Sequence, residues 1–477
     1  MTNFSQPLLL ATLVISLVTS FSVYIIGLSS GSVVIYAHNF SWSLSVVSLF
    51  IFLCCLVIGL TNKSFFFLLL PIVVLAVPNA VNDIFPSFWG GPINERGSTA
   101  LPLFTHIDLY ALLGLFKLNA YRESKCLRIP VLPSISIFVV SLVVPLGYLM
   151  HLSEYNIPAI TYFGNNFQIR YMVYVLLLAP FFVPSLLKGF QVGVCLAGLI
   201  VLLESVVYSV LQGSPELMSG NFGINTLAVL FGLILIQISS FDNGTISKVF
   251  LAVMFLCAIA LTKTLSVVLA LILLLFFVTK ERWRGNIYLL VLGAACAAFF
   301  AIGTDFSSLL ASFSVLVEPF LLLTSYDYYF LLELDLVGGP VTSLLTRWSL
   351  ILTSFQIIFE HPFGIGFGSF NFLKGAFGFA VPVFIDPHND FLNFVVQFGL
   401  VSGLLMIFLI FLWPVCFSSG AHSTNKSLLH TLAFVAVCGL SNCNLNKHQF
   451  FFFVVFLVFA FYPTMNVRLL AEGKSVS

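Results

Sequence analysis

Charge is the scarcest property of this sequence: Asp, Glu, Lys and Arg make up 8% of its 477 residues, against 60% hydrophobic ones. The formal net charge is +1, so no basic or acidic field points to nucleic acid as a partner. Cysteine is present in nine copies, but most sit inside apolar runs, as Cys54, Cys55, Cys195, Cys257, Cys296 and Cys438 do. There they read as small hydrophobes, and no paired spacing suggests disulfides or zinc. No Asp-x-Asp and no carboxylate pair with supporting ligands is visible, so neither a metal nor another cofactor is expected. The stretch from Met1 to Gly27 lacks a basic leader and a cleavage site, and is read as a first span rather than a signal peptide.

Hydrophobicity is what the chain has. Mean hydropathy is +1.10, and apolar runs of about 15 to 23 residues recur, long enough for membrane spans. These imply an all-α polytopic membrane protein of about 12–14 transmembrane helices. The spans fall near residues 7–27, 43–60, 64–81, 103–119, 131–150, 172–187, 190–212, 225–241, 247–262, 265–279, 286–303, 391–413, 428–442 and 450–464. Three parts follow: a transmembrane bundle over 1–303, a large polar insert over 304–390 expected to contain short helices, and C-terminal spans with a short tail over 391–477.

Basic residues orient the spans, because Lys and Arg concentrate on the cytoplasmic side. With both termini inside, Lys63, Arg122, Lys125, Arg128, Lys188, Lys248, Lys280, Arg282, Arg284, Lys426, Arg468 and Lys474 are cytoplasmic. Arg96, Arg170, Lys263, Arg347, Lys374 and Lys447 face the other side, and Lys117 lies at a boundary. The insert is therefore expected outside the cytoplasm. It also holds much of the acid in the chain: Asp305, Glu318, Asp327, Glu333, Asp335, Glu360, Asp386 and Asp390.

Within it, Leu344–Phe359 has helical spacing with Arg347 near its start. The run Gly364-x-Gly366-x-Gly368 follows. It would let the backbone turn tightly, either to approach a ligand or simply to turn. His361 precedes Pro362, which ends a helix, and reads as structural. Then comes Asp386-Pro387-His388-Asn389-Asp390, which places His388 three residues before a new span. His388 could accept a proton or, as a cation, bind a phosphate, with Asp386 or Asp390 orienting its ring. Equally, Asn389 or Asp390 could be capping the helix that begins at Phe391, with His388 merely exposed.

Arg-Trp at 347–348, the His-Pro-Phe-Gly-Ile-Gly-Phe-Gly run from 361, Pro-His-Asn-Asp-Phe-Leu from 387 and Gln397–Gly403 together resemble the O-antigen ligase and polymerase family. Ser219–Asn225 is similar to a Gly-Phe-Asn segment that opens a span in that family. The resemblance implies a bacterial inner-membrane glycosyltransferase with a periplasmic site. Its donor and acceptor would be undecaprenyl-diphosphate-linked glycans in a membrane-lipid setting, and a chain-length regulator protein is a conceivable further partner. Where the family often has Ser-Arg, this chain has Thr262-Lys263-Thr264, and Glu216-Leu217-Met218 replaces an arginine before the Gly-Phe-Asn segment.

Such a transfer needs cations for the diphosphate, and the arginine fork makes paired hydrogen bonds to phosphate. Arg347 and His388 are the catalytic candidates. Arg170, Lys263, Asn389, Asp386, Asp390, Gly364 and Gly366 are candidates for binding the diphosphate or the glycan. The bland alternatives are headgroup anchoring for Arg347 and an interfacial position for Lys263. Glu204, inside the seventh span, could face a polar cavity or bond between helices. Polymerisation of repeat units is preferred over ligation to lipid A core, since the chain is long, rich in Phe and matches the family mainly in one loop. Transport is a third class, disfavoured because no internal repeat is seen and polar residues gather in one insert.

Overall fold

The structure, a computed structural model, describes residues 5–29, 42–77, 87–90, 99–102, 105–120, 131–151, 166–219, 222–239, 245–262, 264–279, 340–366, 370, 386–416 and 423–471. The predicted span at 286–303, most of the insert (including Asp327, Glu333 and Asp335), Arg96, Lys263, Gly368 and Lys374 lie outside the described residues.

Helices dominate, as the apolar runs require. They are α1 (Ser5–Ser29), α2 (Trp42–Gly59), α3 (Lys63–Pro71, continued by a π-helical turn Ile72–Ala76), α4 (His106–Ala120), α5 (Val131–His151), α6 (Asn166–Leu178), α7 (Leu187–Gln212), α8 (Ile224–Ser239), α9 (Thr245–Leu261) and α10 (Leu265–Thr279). After the insert begins, α11 (Pro340–Glu360), α12 (Asp390–Phe398), α13 (Leu400–Ile407), a π-helical turn (Phe408–Leu412), α14 (Trp413–Cys416), α15 (Ser423–Gly439) and α16 (His448–Ala471) follow. A short antiparallel hairpin, β1 (Ser87–Gly90) with β2 (Thr99–Pro102), was not expected from the sequence.

Among the described residues, α7 is the one helix long and apolar enough by itself to cross a membrane; the other apolar helices are shorter. Its two faces show the environment. Phe190, Val194, Ala197, Val201 and Ser205 are buried, while Leu196, Ile200, Leu203, Val207 and Val210 point outward at the same helical spacing. A continuous outward stripe of large aliphatic residues suits lipid and is rare against water. By contrast, α16 is buried on every side from Gln449 to Phe459. Its phenylalanines form the axis of the bundle: Phe456 meets Phe182 and Phe190, and Phe452 meets Tyr171.

Two expected spans are drawn differently. The one placed at 172–187 starts at Asn166 and gives way at Pro180 and Pro184 to short 3-10 turns that run into α7. The one placed at 391–413 is broken at Gly399, whose φ of 86° few side chains tolerate. A Cβ on Gly399 would lie 2.4 Å from the Phe363 carbonyl carbon, and one on Gly364 (φ 87°) would lie 2.3 Å from the Gly399 nitrogen. Two glycine backbones interlock here, tied by Leu400 N–H to the Pro362 carbonyl and Gly366 N–H to the Gln397 carbonyl. The lock seats α11 on α12 through a small apolar cluster of Leu350, Ile357, Ile358, Ile365, Val395 and Val396.

Order along α1 also differs from the simple alternation of sides. Ser16 donates to the Asn166 carbonyl, and one turn further along both helices Ser20 accepts from Arg170. These contacts run α1 alongside α6 in the same direction, whereas strict alternation makes the pair antiparallel.

Candidate active site

Four chain segments meet at one end of the bundle around a cavity of about 440 Å³. Its lining comes from Glu216 and Gly223–Thr226 before and within α8, Thr262 and Thr264 between α9 and α10, Asp386 and His388 before α12, and Asn442–Asn444 after α15.

The wall before α12 carries the chemistry. His388 has a φ of 52°, the only positive value at a non-glycine position among the described residues. Histidine tolerates this left-handed conformation better than most residues, yet it still costs about 1–3 kcal/mol and tends to mark functional sites. Asp386 holds it there. One carboxylate oxygen accepts the His388 backbone N–H at 3.0 Å and contacts Nδ1 at 2.8 Å. Burial raises the Asp386 carboxyl, but the hydrogen bonds and charge of His388 and a bond from Cys443 outweigh it and hold the group below the ordinary carboxylate range. A charged carboxylate only accepts, so Nδ1 carries the proton and Nε2 becomes the basic nitrogen. His388 is about a quarter exposed, so its ring reaches the cavity while its partner is more sheltered.

Asn389 and Asp390 anchor this turn. Asn389 caps α12 by accepting from Leu392 N–H, and its amide nitrogen donates to the Leu440 carbonyl. The backbone N–H of Asn389 donates to the Cys443 sulfur, and Asp390 accepts from Leu445 N–H. Both expected binding residues thus clasp the 440–445 turn, and the helix-cap role is real. Burial pushes the Cys443 thiol well up, with Asp386 and Asp390 beside it adding to the shift, so the sulfur is a neutral thiol rather than a nucleophile.

The Ser219–Asn225 segment forms a second wall. Gly213 ends α7 in the left-handed conformation, Met218 N–H donates to the Ser209 hydroxyl, and Leu217 N–H reaches the Leu261 carbonyl. Glu204 accepts from the Ser219 hydroxyl at 2.7 Å, which makes it a pin for this loop.

The remaining expected residues are placed elsewhere. Arg170 is fully buried: Nε donates to Asp108 at 2.9 Å, and a terminal nitrogen donates to the Ser20 hydroxyl. Asp108 in turn accepts from the Thr105 N–H and hydroxyl, and Thr105 meets Tyr171. Because α6 starts before Arg170, the guanidinium is enclosed between α1 and α4 instead of facing the cavity. Gly364 and Gly366 close on the Gln397–Gly399 backbone and do not line the cavity. Arg347 lies on α11, half-buried, and its Nε is buried without a hydrogen-bond partner among the described residues. Burial lowers its pKa, but a guanidinium keeps its charge at neutral pH. Lys263, between two lining threonines, is outside the described residues. His361 is buried and closes the end of α11, its N–H bonded to the Ile357 carbonyl.

The fourth wall was missed. Ser441-Asn442-Cys443-Asn444-Leu445-Asn446 lies between two apolar spans and reads at first as a plain turn. Three asparagines in five residues, on the same side as the insert, were the available signal.

The fold and this end of the bundle define a helical membrane protein with a polar, His-Asp-bearing cavity where its loops meet. Residues 246–408 match the O-antigen ligase family model, so this part of the chain is similar to proteins of that family. The match covers Thr262, Thr264, Arg347, Asp386 and His388, whereas the 216–226 and 442–444 walls lie beyond it. No curated protein matches the chain.

Proposed function

We propose that the protein is a membrane glycosyltransferase that polymerises undecaprenyl-diphosphate-linked repeat units at the outer face of the bacterial inner membrane. The observation that carries the reading is convergence. Two segments that resemble the family, more than 160 residues apart in sequence (Asn225 and Asp386), line one cavity with the Asp386–His388 pair in its wall. Composition alone has no reason to bring them together.

In the proposed step, the acceptor hydroxyl oxygen forms a bond to the anomeric carbon of the donor glycan. The bond from that carbon to the diphosphate oxygen breaks, and undecaprenyl diphosphate leaves with the electron pair. His388 Nε2 takes the hydroxyl proton, and Asp386 stabilises the resulting imidazolium. The insert over 304–390 brings Arg347, whose fork binds the diphosphate as negative charge grows on it. The reading gives no step to Arg170.

Ligation to lipid A core is the second reading, favoured by the description of the matching family model. A gel profile of surface polysaccharide from a deletion strain separates the two, with each variant complemented at equal membrane levels. Core capped with a single repeat means polymerase. Loss of even that band, with long lipid-linked polymer accumulating, means ligase. A full ladder from both Arg347→Ala and His388→Ala removes both residues from the mechanism.

A further inference from the structure

We propose that the cavity is a subsite for an uncharged sugar ring, and that Asn444 determines which ring it accepts, by donating a hydrogen bond from its side-chain amide to an oxygen of the glycan. The inference rests on the glycan-transfer reading above and adds what the cavity itself recognises.

The lining chemistry is that of hydroxyl recognition. Asn225, Asn442 and Asn444 offer amides, and Thr226, Thr262 and Thr264 offer hydroxyls, so the wall carries both donors and acceptors. No lysine or arginine is among the described lining residues, while Glu216 and Asp386 are. Carboxylates accept hydrogen bonds from sugar hydroxyls, which adds acceptors to the amides and hydroxyls of this wall. A volume near 440 Å³ lies within the ordinary range for small-molecule sites.

The amides are fixed before any ligand arrives. Asn225 donates to the Asn442 side-chain oxygen at 2.9 Å, and Asn442 donates to Ser266 at 3.2 Å. The Thr226 hydroxyl donates to the side-chain oxygen of Asn444 at 3.4 Å, which sets the direction of that amide. Its other end is incomplete. Asn444 is 1% exposed, lines the cavity, and its Nδ2 has no hydrogen-bond partner among the described residues. A buried donor left unmade weakens the fold, and an acceptor oxygen on a bound ring completes it. A site arranged in this way discriminates strongly against a sugar that lacks the matching oxygen.

The test uses the full chain in lipid nanodiscs with two probes: the repeat-unit oligosaccharide released by mild acid from the host's own surface polysaccharide, and undecaprenyl diphosphate in the disc. Wild type is expected to bind both. Asn444→Ala should weaken oligosaccharide binding roughly tenfold, the equivalent of one hydrogen bond, and leave undecaprenyl diphosphate binding unchanged. Thr226→Val, on a different helix, should weaken it by a smaller factor and covers the case in which Asn444→Ala does not fold. Equal oligosaccharide affinity in folded variants and wild type overturns the subsite. So does loss of undecaprenyl diphosphate binding in place of oligosaccharide binding, which would make the cavity a headgroup site. Transfer from lipid-linked donor in the same discs separates the two levels: if wild type transfers glycan while the variants bind it normally, only the subsite falls. If wild type neither binds nor transfers, the glycan-transfer reading falls and the subsite with it.

Discussion

Two pairs of a basic and an acidic side chain in this protein are joined at similar distances and sit in opposite surroundings. Arg170 and Asp108 are both fully buried, joined at 2.9 Å, and served by Ser20 and Thr105. His388 and Asp386 are joined at 2.8 Å, but both are partly exposed, and the histidine backbone is held in a left-handed conformation. The first pair joins three helices and has its needs met within the protein. The second is bent toward a cavity, with relaxed alternatives open to it, and only its surroundings keep it there. Charge in an apolar chain is therefore not itself a sign of chemistry. Strain beside open space is the better one.

Breaking the first pair should give the largest effect, on folding. Asp108→Ala leaves an uncompensated buried guanidinium, and we expect a loss of about 3–5 kcal/mol, read as a fall in unfolding temperature and in membrane accumulation. His388→Gly should do the reverse. It keeps a residue at ease at positive φ, so the protein accumulates normally, while glycan transfer in nanodiscs falls by about 10²–10⁴-fold, as for loss of a general base. Normal transfer by this variant would erase the contrast between the pairs.

Asp386→Asn sharpens the comparison. Its folded pKa lies below the ordinary value of 3.8, so its stabilising contribution is complete above that value and is lost as pH falls through the lower, folded one. Wild-type stability from this carboxylate should therefore be flat around neutrality and decline only in strong acid. The asparagine variant should lack that acid decline, and its transfer rate should be reduced, by less than in His388→Gly. The smallest effect is expected from Asn389→Ala, a cap substitution worth about 1 kcal/mol, visible as a modest fall in unfolding temperature.

Much of this architecture was legible, and the reasons are local. The apolar runs, the helix at Leu344–Phe359 and the Pro-His-Asn turn rest on spacing within a few residues, and α11 and the His388 turn carry them into the structure. Long-range pairings were not legible. Nothing near Arg170 in sequence names Asp108 as its partner 62 positions away, so its charge read as available. Gly364 read as a ligand-approaching glycine because its true neighbour, the Gly399 backbone, belongs to another helix. The asparagine wall escaped for a similar reason, since its meaning depends on Asn225 and Thr226 more than 200 residues earlier.

The burial of α16 on all sides from Gln449 to Phe459 bears on how the molecule is made. Every other described helix is synthesised before it, and the turn holding Asn442–Asn444 emerges immediately ahead of it. A ribosome-bound chain that has already inserted the His388 turn still lacks one wall of its cavity and the helix around which the bundle packs. Catalytic competence thus comes late in biosynthesis, so a partly translated chain would hold the His388 turn without a finished pocket in which to use it.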